Sequence, residues 1–518
     1  MKKQYAYIIY MALGMGMVGT SCSDQLEQFN PNAQTESTFW KNQLDYEEAL
    51  VACYSPLKEG IYGGYYGTRG VMMRIARADE VEFRNDISDI FQACYFTNSN
   101  GNRVAQQLFY QFYSGIFRCN TILQRLKDTS VSLHSDFVTE ARGEASFLRA
   151  LYLFNLGKEF QDAPLRLTAS EKFADFPLAK SSQKEIWDQA VKDLETAASC
   201  LPVEAVAKGK PSRGAAYALM GKIYLYEKEY DKAIDVLEPL TTSPYNYTLC
   251  RDFRWNIDEA HEFNNESVFE IPMEDVGGTN VWSNGETNNT SQTTSRAMEY
   301  ASSVAGGWFE AQPTQQIMDI MTYEKDRDGN YDYRARMSVA WDYDGCMYYQ
   351  EPFRKKFSEG QSNTYWILRY ENWDKGVNED ASCKSTINER ALRYDGVILN
   401  LAECYLFSTI RKNLQKAVSY INMIRERANL NDYSGKLTES DIFIDLERQR
   451  AIEFFVDGER FYDLRRWGLL DERIRTCNKV RYNQLETGKT GNTNKYYYLP
   501  IPSAELETNP LCTKSEGW

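Results

Sequence analysis

The sequence predicts an all-α fold built from helix pairs, interrupted by one loop-rich region. Apolar residues recur at three- and four-residue spacing over most of the chain, which is typical of amphipathic helices. Two segments also carry the residue pattern of a tetratricopeptide helix pair. Between residues 246 and 385 this periodicity fades, while Gly, Asn, Ser and Thr become frequent. A chain of 518 residues is long enough to bury a large core.

The N-terminus has the pattern of a bacterial lipoprotein signal peptide. Two lysines precede an apolar run, and small residues follow up to Cys22. We therefore expect a signal peptide over residues 1–21, lipidation of Cys22 and a polar tether over residues 22–35. Gly19 stands where such cleavage sites usually have Leu. The alternative is simple secretion, with Cys22 as an ordinary thiol.

Amphipathic helices follow the tether. Three segments show clear helical periodicity: "TFWKNQLDYEEALVACYSPLK", "AQQLFYQFYSGIFRCNTILQRLK" and "TEARGEASFLRALYLFNLGKEF". We assign residues 36–518 to one domain. Its helical scaffold is predicted mainly over residues 36–245 and 386–475, and its variable, loop-rich ligand region over residues 246–385.

The tetratricopeptide pattern is clearest in "YALMGKIYLYEKEYDKAIDVLEPL". Its small and large consensus positions are Gly221, Tyr224, Ala233 and Leu237. The small residues let two helices approach closely, and the large residues fill the space between them. A second, looser copy has Ala402, Tyr405, Ala417 and Ile421.

A charged stretch near the C-terminus, "ERQRAIEFFVDGERFYDLRRWG", contains five acids and five arginines. A helix starting near Thr438 is predicted to carry it, and Gly458 suits the left-handed residue that ends a helix. Pairs such as Glu447 and Arg450 are spaced to interact along this helix. Acids matched by arginines stay ionised, which favours a structural ion-pair network over the alternative, an active site.

This stretch resembles the C-terminal signature of the SusD/RagB family of outer-membrane nutrient-binding lipoproteins. Asp457 stands where the family usually has Glu. Three further segments resemble family motifs in the expected order: "EASFLRALYLFNLGKEFQDAPL", "LRYDGVILNLAECYL" and "YYYLPIPSAELETNP". Together with the lipoprotein N-terminus, these motifs cover nearly the whole mature chain.

The resemblance implies a SusD-like fold, in which tetratricopeptide-like helix pairs support a loop-rich ligand site. It implies a protein anchored by lipid at the cell surface, in the outer membrane, beside a SusC-like TonB-dependent transporter. It also implies binding of an oligosaccharide, or of peptides in some members, without catalysis and without a cofactor.

Composition excludes some functions. The net charge is −14 and no long basic run occurs, which argues against nucleic acid as a partner. With two histidines, His134 and His261, the chain is poorly supplied for a His-based metal cluster or a Ser-His triad. An extracytoplasmic location permits disulfides, but the ten cysteines after Cys22 form no CxxC pair and their spacing does not indicate which of them would pair.

Aromatic rings on loops are the candidate ligand-binding residues, because aromatic faces bury the flat C–H faces of sugars. The first candidates are Trp282 and Trp308, followed by Trp341, Tyr343 and Trp366, with Tyr95, Phe96 and Tyr65 from two earlier loops. For each ring the alternative is packing in the core or against a loop.

One segment has part of the pattern of a calcium-binding loop. "DRDGNYD" alternates oxygen ligands as a calcium loop does, but Gly and Glu are not where an EF-hand requires them, so an Asx/Gly turn is predicted.

Besides peptide capture, the alternative functions are a surface glycoside hydrolase, which needs two suitably spaced carboxyl groups, and a helical scaffold that binds only proteins.

Overall fold

The computed structural model describes residues 39–58, 64–169, 176–276, 292–357, 364–477, 479, 496–515 and 517–518. The predicted signal peptide, the predicted tether over residues 22–35 with Cys22, and Trp282 lie outside these residues. Within the described chain, no helix combines the length and the apolar character needed to cross a membrane. The same residues contain no disulfide bond.

Helices form the first part of the described chain. They are α1 (Gln43–Ala52), α2 (Thr68–Ala76), α3 (Ser88–Cys94), α4 (Arg103–Arg125), α5 (Ser135–Phe160), α6 (Gln183–Cys200), α7 (Arg213–Tyr226) and α8 (Tyr230–Leu237). Local sequence fixes where several begin. Ser182 and Glu185 form a capping box at the start of α6, and the Asn102 side chain accepts a hydrogen bond from Ala105 N–H at the start of α4.

The remaining helices are α9 (Arg296–Tyr300), α10 (Gln315–Met321), α11 (Tyr333–Ser338), α12 (Phe353–Lys356), α13 (Tyr394–Phe407), α14 (Leu414–Arg427), α15 (Glu439–Glu453), α16 (Arg460–Trp467), α17 (Leu470–Thr476) and α18 (Ser503–Thr508). Those in the loop-rich region are short, with α10 the longest at seven residues among the described ones. Long helices return at α13. The all-α, tetratricopeptide-like fold is therefore as predicted.

Short antiparallel strand pairs connect distant segments. The strands are β1 (Val81–Phe83), β2 (Ala163–Pro164), β3 (Lys180–Ser181), β4 (Ser267–Ile271), β5 (Ala311–Pro313), β6 (Val339–Ala340), β7 (Met347–Tyr348), β8 (Glu351–Pro352), β9 (Trp366–Ile367) and β10 (Glu389–Arg393). They pair as β1–β5, β2–β3, β4–β10, β6–β9 and β7–β8. The β1–β5 pair, with Val81 opposite Pro313, fastens the loop-rich region to the helical scaffold.

The two predicted tetratricopeptide pairs are α7–α8 and α13–α14. A Cβ atom on Gly221 would lie 2.3 Å from Leu237 Cγ, so only glycine allows this approach of α7 and α8. In the second pair Ala402 and Ala417 are fully buried. The expected roles of the small residues are thus confirmed in both copies.

One large apolar core runs through the helical scaffold, and a smaller one lies in the loop-rich region. Phe147 of α5 packs edge-on against Phe269 of β4, with ring centres 4.9 Å apart, which joins the helices to a strand pair. The smaller core includes Tyr348, Phe357 and Trp366. The loops are therefore supported by their own packed base.

The charged stretch forms the end of α15, a turn and α16. Thr438 caps α15, as predicted, and Gly458 has the predicted left-handed conformation, with φ +77°. The helix already ends at Glu453, however, so Gly458 lies in the turn between two helices. Phe454, Phe455 and Val456 of this turn are buried, because the turn crosses the core.

The prediction that Glu447 pairs with Arg450 along the helix is wrong. Glu447 instead pairs with Arg460 (3.1 Å) and Arg473 (2.9 Å), and Arg450 pairs with Asp463 of α16 (2.7 Å). Arg450 and Arg460 thus reach carboxylates on other elements, whereas Arg448 does pair along its own helix, with Asp445 (3.2 Å). Burial alone would raise the pKa of Asp463. The guanidinium groups of Arg450 and Arg466 outweigh burial and lower this pKa below its ordinary value. These contacts confirm the structural ion-pair network.

Candidate ligand-binding groove

Loops between residues 325 and 373 enclose an open groove of about 750 Å³, which we call the loop groove. Its lining is Lys325, Gly329, Asn330, Tyr331, Arg336, Met337, Asp342, Tyr343, Asp344, Gly345, Met347, Arg354 and Trp373. The volume is within the range of small-molecule sites, and aromatic rings stand in a lining that is otherwise mostly polar.

An Asx turn forms one end of the loop groove. Asp326 Oδ1 accepts hydrogen bonds from the backbone N–H groups of Asp328 (3.0 Å) and Asn330 (2.8 Å). This confirms the turn predicted for "DRDGNYD". The turn brings Lys325 and Tyr331 opposite each other as a β-bridge, and Lys325 Nζ lies 2.8 Å from the centre of the Tyr331 ring. A cation therefore rests on one of the groove's rings.

Aromatic rings form one wall. Trp341 is buried, and Tyr343 packs on it with ring centres 4.3 Å apart. Tyr331 meets both edge-on, at 5.3 Å from Trp341 and 5.9 Å from Tyr343. Trp373 reaches the groove from another loop, and the Arg254 guanidinium lies 4.9 Å from its ring. Tyr331, Tyr343 and Trp373 are half-buried, so part of each ring remains open to a ligand.

Ion pairs hold the polar groups of the groove in place. Arg354 donates from Nε to Asp342 and from Nη1 to Asp344, each at 2.6 Å. These hydrogen bonds raise the pKa of the Arg354 guanidinium above its ordinary value. Arg336 donates to the backbone carbonyl of Tyr331 (2.9 Å). Charged donors and acceptors therefore lie beside the rings, where they can bind hydroxyl groups.

Of the predicted site residues, Tyr343 lines the loop groove and Trp341 supports it from beneath. Trp308 lies elsewhere, half-buried beside Met298 and Cys383. Trp282 is outside the described residues.

The structure places the other four predicted rings in packed interiors. Trp366 stacks on Phe357 with ring centres 5.4 Å apart, in the small core. Tyr65, Tyr95 and Phe96 are almost fully buried in the large core. The Tyr65 hydroxyl donates to Glu159 (2.7 Å) inside the scaffold. None of these four rings presents a face to solvent, because loop composition alone does not indicate which rings turn inward.

Sequence reasoning did not select Tyr331, Arg336, Arg354 or Trp373. A signal was present for Tyr331 and Tyr343, since "GNYDY" and "WDYDG" each place rings within Asp/Gly turns. Turns of this type expose a ring at their tip while the acids bond the backbone. Trp373 has a similar setting in "NWDKG", whereas Arg354 carried no comparable signal, because it joins the groove only through tertiary folding.

A second groove, which we call the helical groove, lies between α4, residues 165–168, 176 and 178, and the end of the chain around α18. It has a volume of about 680 Å³ and is mainly apolar. Its exposed or half-buried rings include Tyr110, Tyr113, Phe117 and Phe176. It has fewer charged groups than the loop groove.

Family models match both halves of the chain. The model described as "SusD family" matches residues 265–518, and the one described as "Starch-binding associating with outer membrane" matches residues 26–225. A SusD superfamily protein from Bacteroides vulgatus, of known structure, is 56% identical, covers 93% of this chain and 100% of its own, and has a TM-score of 0.86. The chain belongs to the SusD family.

More distant SusD-like proteins share the fold over nearly the full length. A SusD-like protein P2 from Formosa agariphila is 24% identical over 97% of both chains. The structure of a laminarin-binding SusD-like protein is 22% identical, covers 92% of this chain and 100% of its own, and has a TM-score of 0.72. Surface glycan-binding protein A from Bacteroides thetaiotaomicron, solved with laminarihexaose, is 19% identical with a TM-score of 0.73, covering 92% and 100%.

Proposed function

We propose that this SusD-family chain is a cell-surface lipoprotein that binds an oligosaccharide in the loop groove. It delivers this ligand to a SusC-like TonB-dependent transporter in the outer membrane. The observation that carries the proposal is one open groove that combines the half-buried rings of Tyr331, Tyr343 and Trp373 with charged hydrogen-bonding groups. The glycan ligands named for two relatives of the same fold support it.

The expected affinity is modest. A ring that stacks on a sugar contributes about 0.5–1.5 kcal/mol beyond area burial, by analogy with aromatic pairs. Three rings with a few hydrogen bonds then correspond to dissociation constants from about 1 μM to 1 mM. Weak, specific binding suits capture followed by transfer, since a ligand held too tightly would not be released.

The arrangement of acids favours binding without hydrolysis. A glycoside hydrolase needs one carboxyl group that holds a proton and a second that is ionised. In the loop groove, Asp342 and Asp344 both accept from the same guanidinium, that of Arg354. The two carboxylates of the lining thus share one partner, rather than having the two different surroundings that separate a catalytic acid from a base.

Alanine substitution tests the site. We expect Tyr343→Ala with Trp373→Ala to weaken glycan binding by at least about tenfold, because two stacking faces are lost. The measurement is affinity electrophoresis and calorimetry of the purified protein against neutral polysaccharides including laminarin and starch, host glycans and peptides. Release of reducing ends by the wild-type protein would contradict the non-catalytic role.

Two single variants serve as controls. Tyr323→Ala removes an exposed tyrosine that does not line the loop groove, so affinity should not change. Trp308→Ala tests the competing site that the sequence suggested. If Trp308→Ala abolishes binding while Tyr343→Ala with Trp373→Ala does not, the ligand binds elsewhere. Binding of peptides alone would move the proposal to peptide capture.

Membrane attachment depends on Cys22 in this proposal. We expect the wild-type protein in the outer-membrane fraction of cells and accessible to added protease. Cys22→Ser removes the thiol that would be lipidated, so this variant should appear in the soluble fraction. Co-purification of a transporter with the wild-type protein from detergent extracts tests the partnership, and equal membrane retention of both forms would contradict lipid anchoring.

A further inference from the structure

Two buried carboxyl groups, those of Glu371 and Glu379, lie against the tyrosines of the smaller core. We call them the carboxyl pair, and the two residues are 5% and 7% exposed. Neither forms an ion pair with a Lys or Arg among the described residues. Lys356 of α12 lies 5.8 Å from the ring of Tyr349 and pairs with Glu351 instead. The carboxyl pair therefore differs from the acids of the C-terminal stretch, which arginines neutralise.

One hydroxyl group lies between the two carboxyl groups. The Tyr349 hydroxyl oxygen is 2.5 Å from Glu379 Oε1 and 3.2 Å from Glu371 Oε2. A hydroxyl group has one proton, so it can donate to only one of these oxygens. If both acids were ionised, the other carboxylate would face the oxygen of Tyr349 with no proton between them. A proton on Glu371 completes a chain in which Glu371 donates to Tyr349 and Tyr349 donates to Glu379.

The surroundings of the two carboxyl groups determine which one holds the proton. Glu379 also accepts from the backbone N–H (2.7 Å) and the side-chain Nδ2 (3.2 Å) of Asn372, which favours its ionised form. Glu371 accepts from tyrosine hydroxyls, the second being that of Tyr348 at 3.5 Å, and its buried Oε1 atom has no partner in the described chain. Burial and the neighbouring Glu379 raise the pKa of Glu371 well above its ordinary value, more than the tyrosine hydrogen bonds lower it.

The carboxyl pair closes the loop that carries Trp373. Glu371 directly precedes residues 372–379, which we call the Trp373 loop, and the two hydrogen bonds from Asn372 to Glu379 join the ends of this loop. Trp373 is half-buried, packs against the smaller core and lines the loop groove. A change at the base of the loop therefore reaches a ring of the proposed ligand site.

A strained turn holds the other side of this loop. Tyr349 and Gln350 lie between β7 and β8, and both have a positive φ (48° and 59°) although neither is glycine. Such a backbone persists when contacts hold it, and the Gln350 side chain donates to the backbone carbonyl of Asp374 (2.5 Å). The turn and the Trp373 loop thus stabilise each other through these two side chains.

A proton fits this arrangement better than a metal ion does. A calcium ion needs about six to eight oxygen ligands, whereas Glu379 already faces two N–H groups, which repel a cation. A single proton removes the repulsion between the two carboxylates. We propose that Glu371 and Glu379 share one proton, and that its loss with rising pH opens the Trp373 loop and weakens ligand binding in the loop groove. The effect on the ligand rests on the proposed function.

The direction of the pH effect follows from the groups that face Glu371. They are Glu379 at the end of the loop, Tyr348 of β7 and Tyr349 of the β7–β8 turn, and none of them is a cation. The folded chain keeps the proton above the pH at which an unfolded chain releases it. The proton therefore stabilises the closed loop at low pH, and this contribution is lost as the pH rises through the raised pKa of Glu371.

Hydrogen exchange of the purified full-length protein tests the inference without any ligand. The protection of the backbone N–H groups of residues 372–379 is compared after correction for the intrinsic exchange rate. We expect this protection to fall by at least about tenfold between about pH 6 and about pH 9, since a shift of one pKa unit corresponds to that factor. The long helix α13 serves as the internal reference and should stay protected.

Variants assign the effect to the carboxyl pair. Glu371→Gln introduces an amide that donates to Tyr349 as the protonated carboxyl group does, so protection should be the same at both pH values. Glu379→Gln removes the second charge and should reduce the fall in protection, which provides a readout if Glu371→Gln does not fold. Glu351→Gln removes a half-buried acid of β8 that pairs with Lys355, and it should retain the wild-type fall.

Laminarin binding, measured by calorimetry at the same two pH values, tests the effect on the ligand. We expect the wild-type affinity to be at least about fivefold lower at the higher pH, and that of Glu371→Gln to be unchanged. Laminarin that binds at neither pH would contradict the proposed function, whereas the exchange result would still decide on the shared proton. Equal protection of the wild-type loop at both pH values, or an equal fall in Glu371→Gln, would overturn the inference.

Discussion

At the scale of single residues, buried arginines decide how the charged C-terminal stretch behaves. Arg460 donates to both carboxylate oxygens of Asp79, at 2.8 Å each, and both side chains are almost fully buried. Burial would raise the pKa of Asp79, but Arg460 lowers it below its ordinary value. Gln316 is a further donor to this carboxylate (2.7 Å). Removing the arginine would leave this buried carboxylate without its paired guanidinium.

We therefore expect Arg460→Met to lower the free energy of unfolding by about 3–5 kcal/mol, measured by urea denaturation. The double variant Asp79→Asn with Arg460→Met should recover part of this loss, because the buried charge is gone. Arg354→Met removes an exposed arginine and should change stability by less than about 1 kcal/mol. A loss for Arg460→Met no larger than that for Arg354→Met would contradict the structural role of the buried pair.

Individual site residues were only partly predictable. Tyr343 was selected as an aromatic ring of the loop-rich region, and the structure brings it to the loop groove. Tyr65 was selected as a ring on a segment richer in glycine, yet its hydroxyl donates to Glu159 and its ring packs in the core. The amino-acid composition of a segment indicates that it is a loop, but it does not indicate whether each aromatic ring faces solvent or the core. That direction depends on partners such as Glu159, far away in sequence.

At the scale of elements, the helix pairs were predictable because their consensus residues act locally. Gly221 allows close approach to Leu237, and the same spacing of small residues recurs in α13 and α14. The end of α15 was predicted less well. The sequence suggested Gly458 as the residue that ends the helix, but the helix ends at Glu453. There, burial of the following turn outweighs the local helix propensity.

Gly221→Ala tests the closest contact between two helices. The added Cβ would lie within 2.3 Å of Leu237 Cγ, so the pair must separate or Leu237 must change its rotamer. We expect a loss of about 1–3 kcal/mol in the free energy of unfolding, measured by urea denaturation.

Gly396→Ala is the matched control, since its new Cβ would meet nothing closer than 3.9 Å in another helical position. It should be neutral or slightly stabilising. Combining Gly221→Ala with Leu237→Ala should cost less than the sum of the two single variants. Strict additivity would show that the two side chains do not meet.

At the scale of the whole molecule, buried carboxyl groups affect how stability depends on pH. Burial raises the pKa of Glu80 to about 8, more than the hydrogen bond from Val456 N–H lowers it. The folded chain then holds this proton between about pH 4.5 and pH 8, where the unfolded chain has released it. The contribution of Glu80 to stability is therefore present at low pH and is lost as the pH rises through this window.

We expect Glu80→Gln to reduce the fall in stability between pH 5 and pH 8 by on the order of 3 kcal/mol, because glutamine has no proton to lose. Thermal melting at several pH values measures this difference from wild type. Glu82→Gln, two residues along on β1, is the control and should follow the wild-type profile. Parallel profiles for wild type and Glu80→Gln would disprove the assignment.

The ion pair between Arg460 and Asp79 has a consequence for biosynthesis. The two residues are 381 positions apart, and Lys479 Nζ donates to the backbone carbonyl of Ala76, 403 positions earlier. At ribosomal speeds of about 5–20 residues per second, synthesis of the intervening chain takes about 20–80 s. The N-terminal helices lack these partners during that time. During that time carboxylates and apolar faces of the nascent chain remain uncovered. Chaperones that hold the unfinished chain would therefore decide its yield.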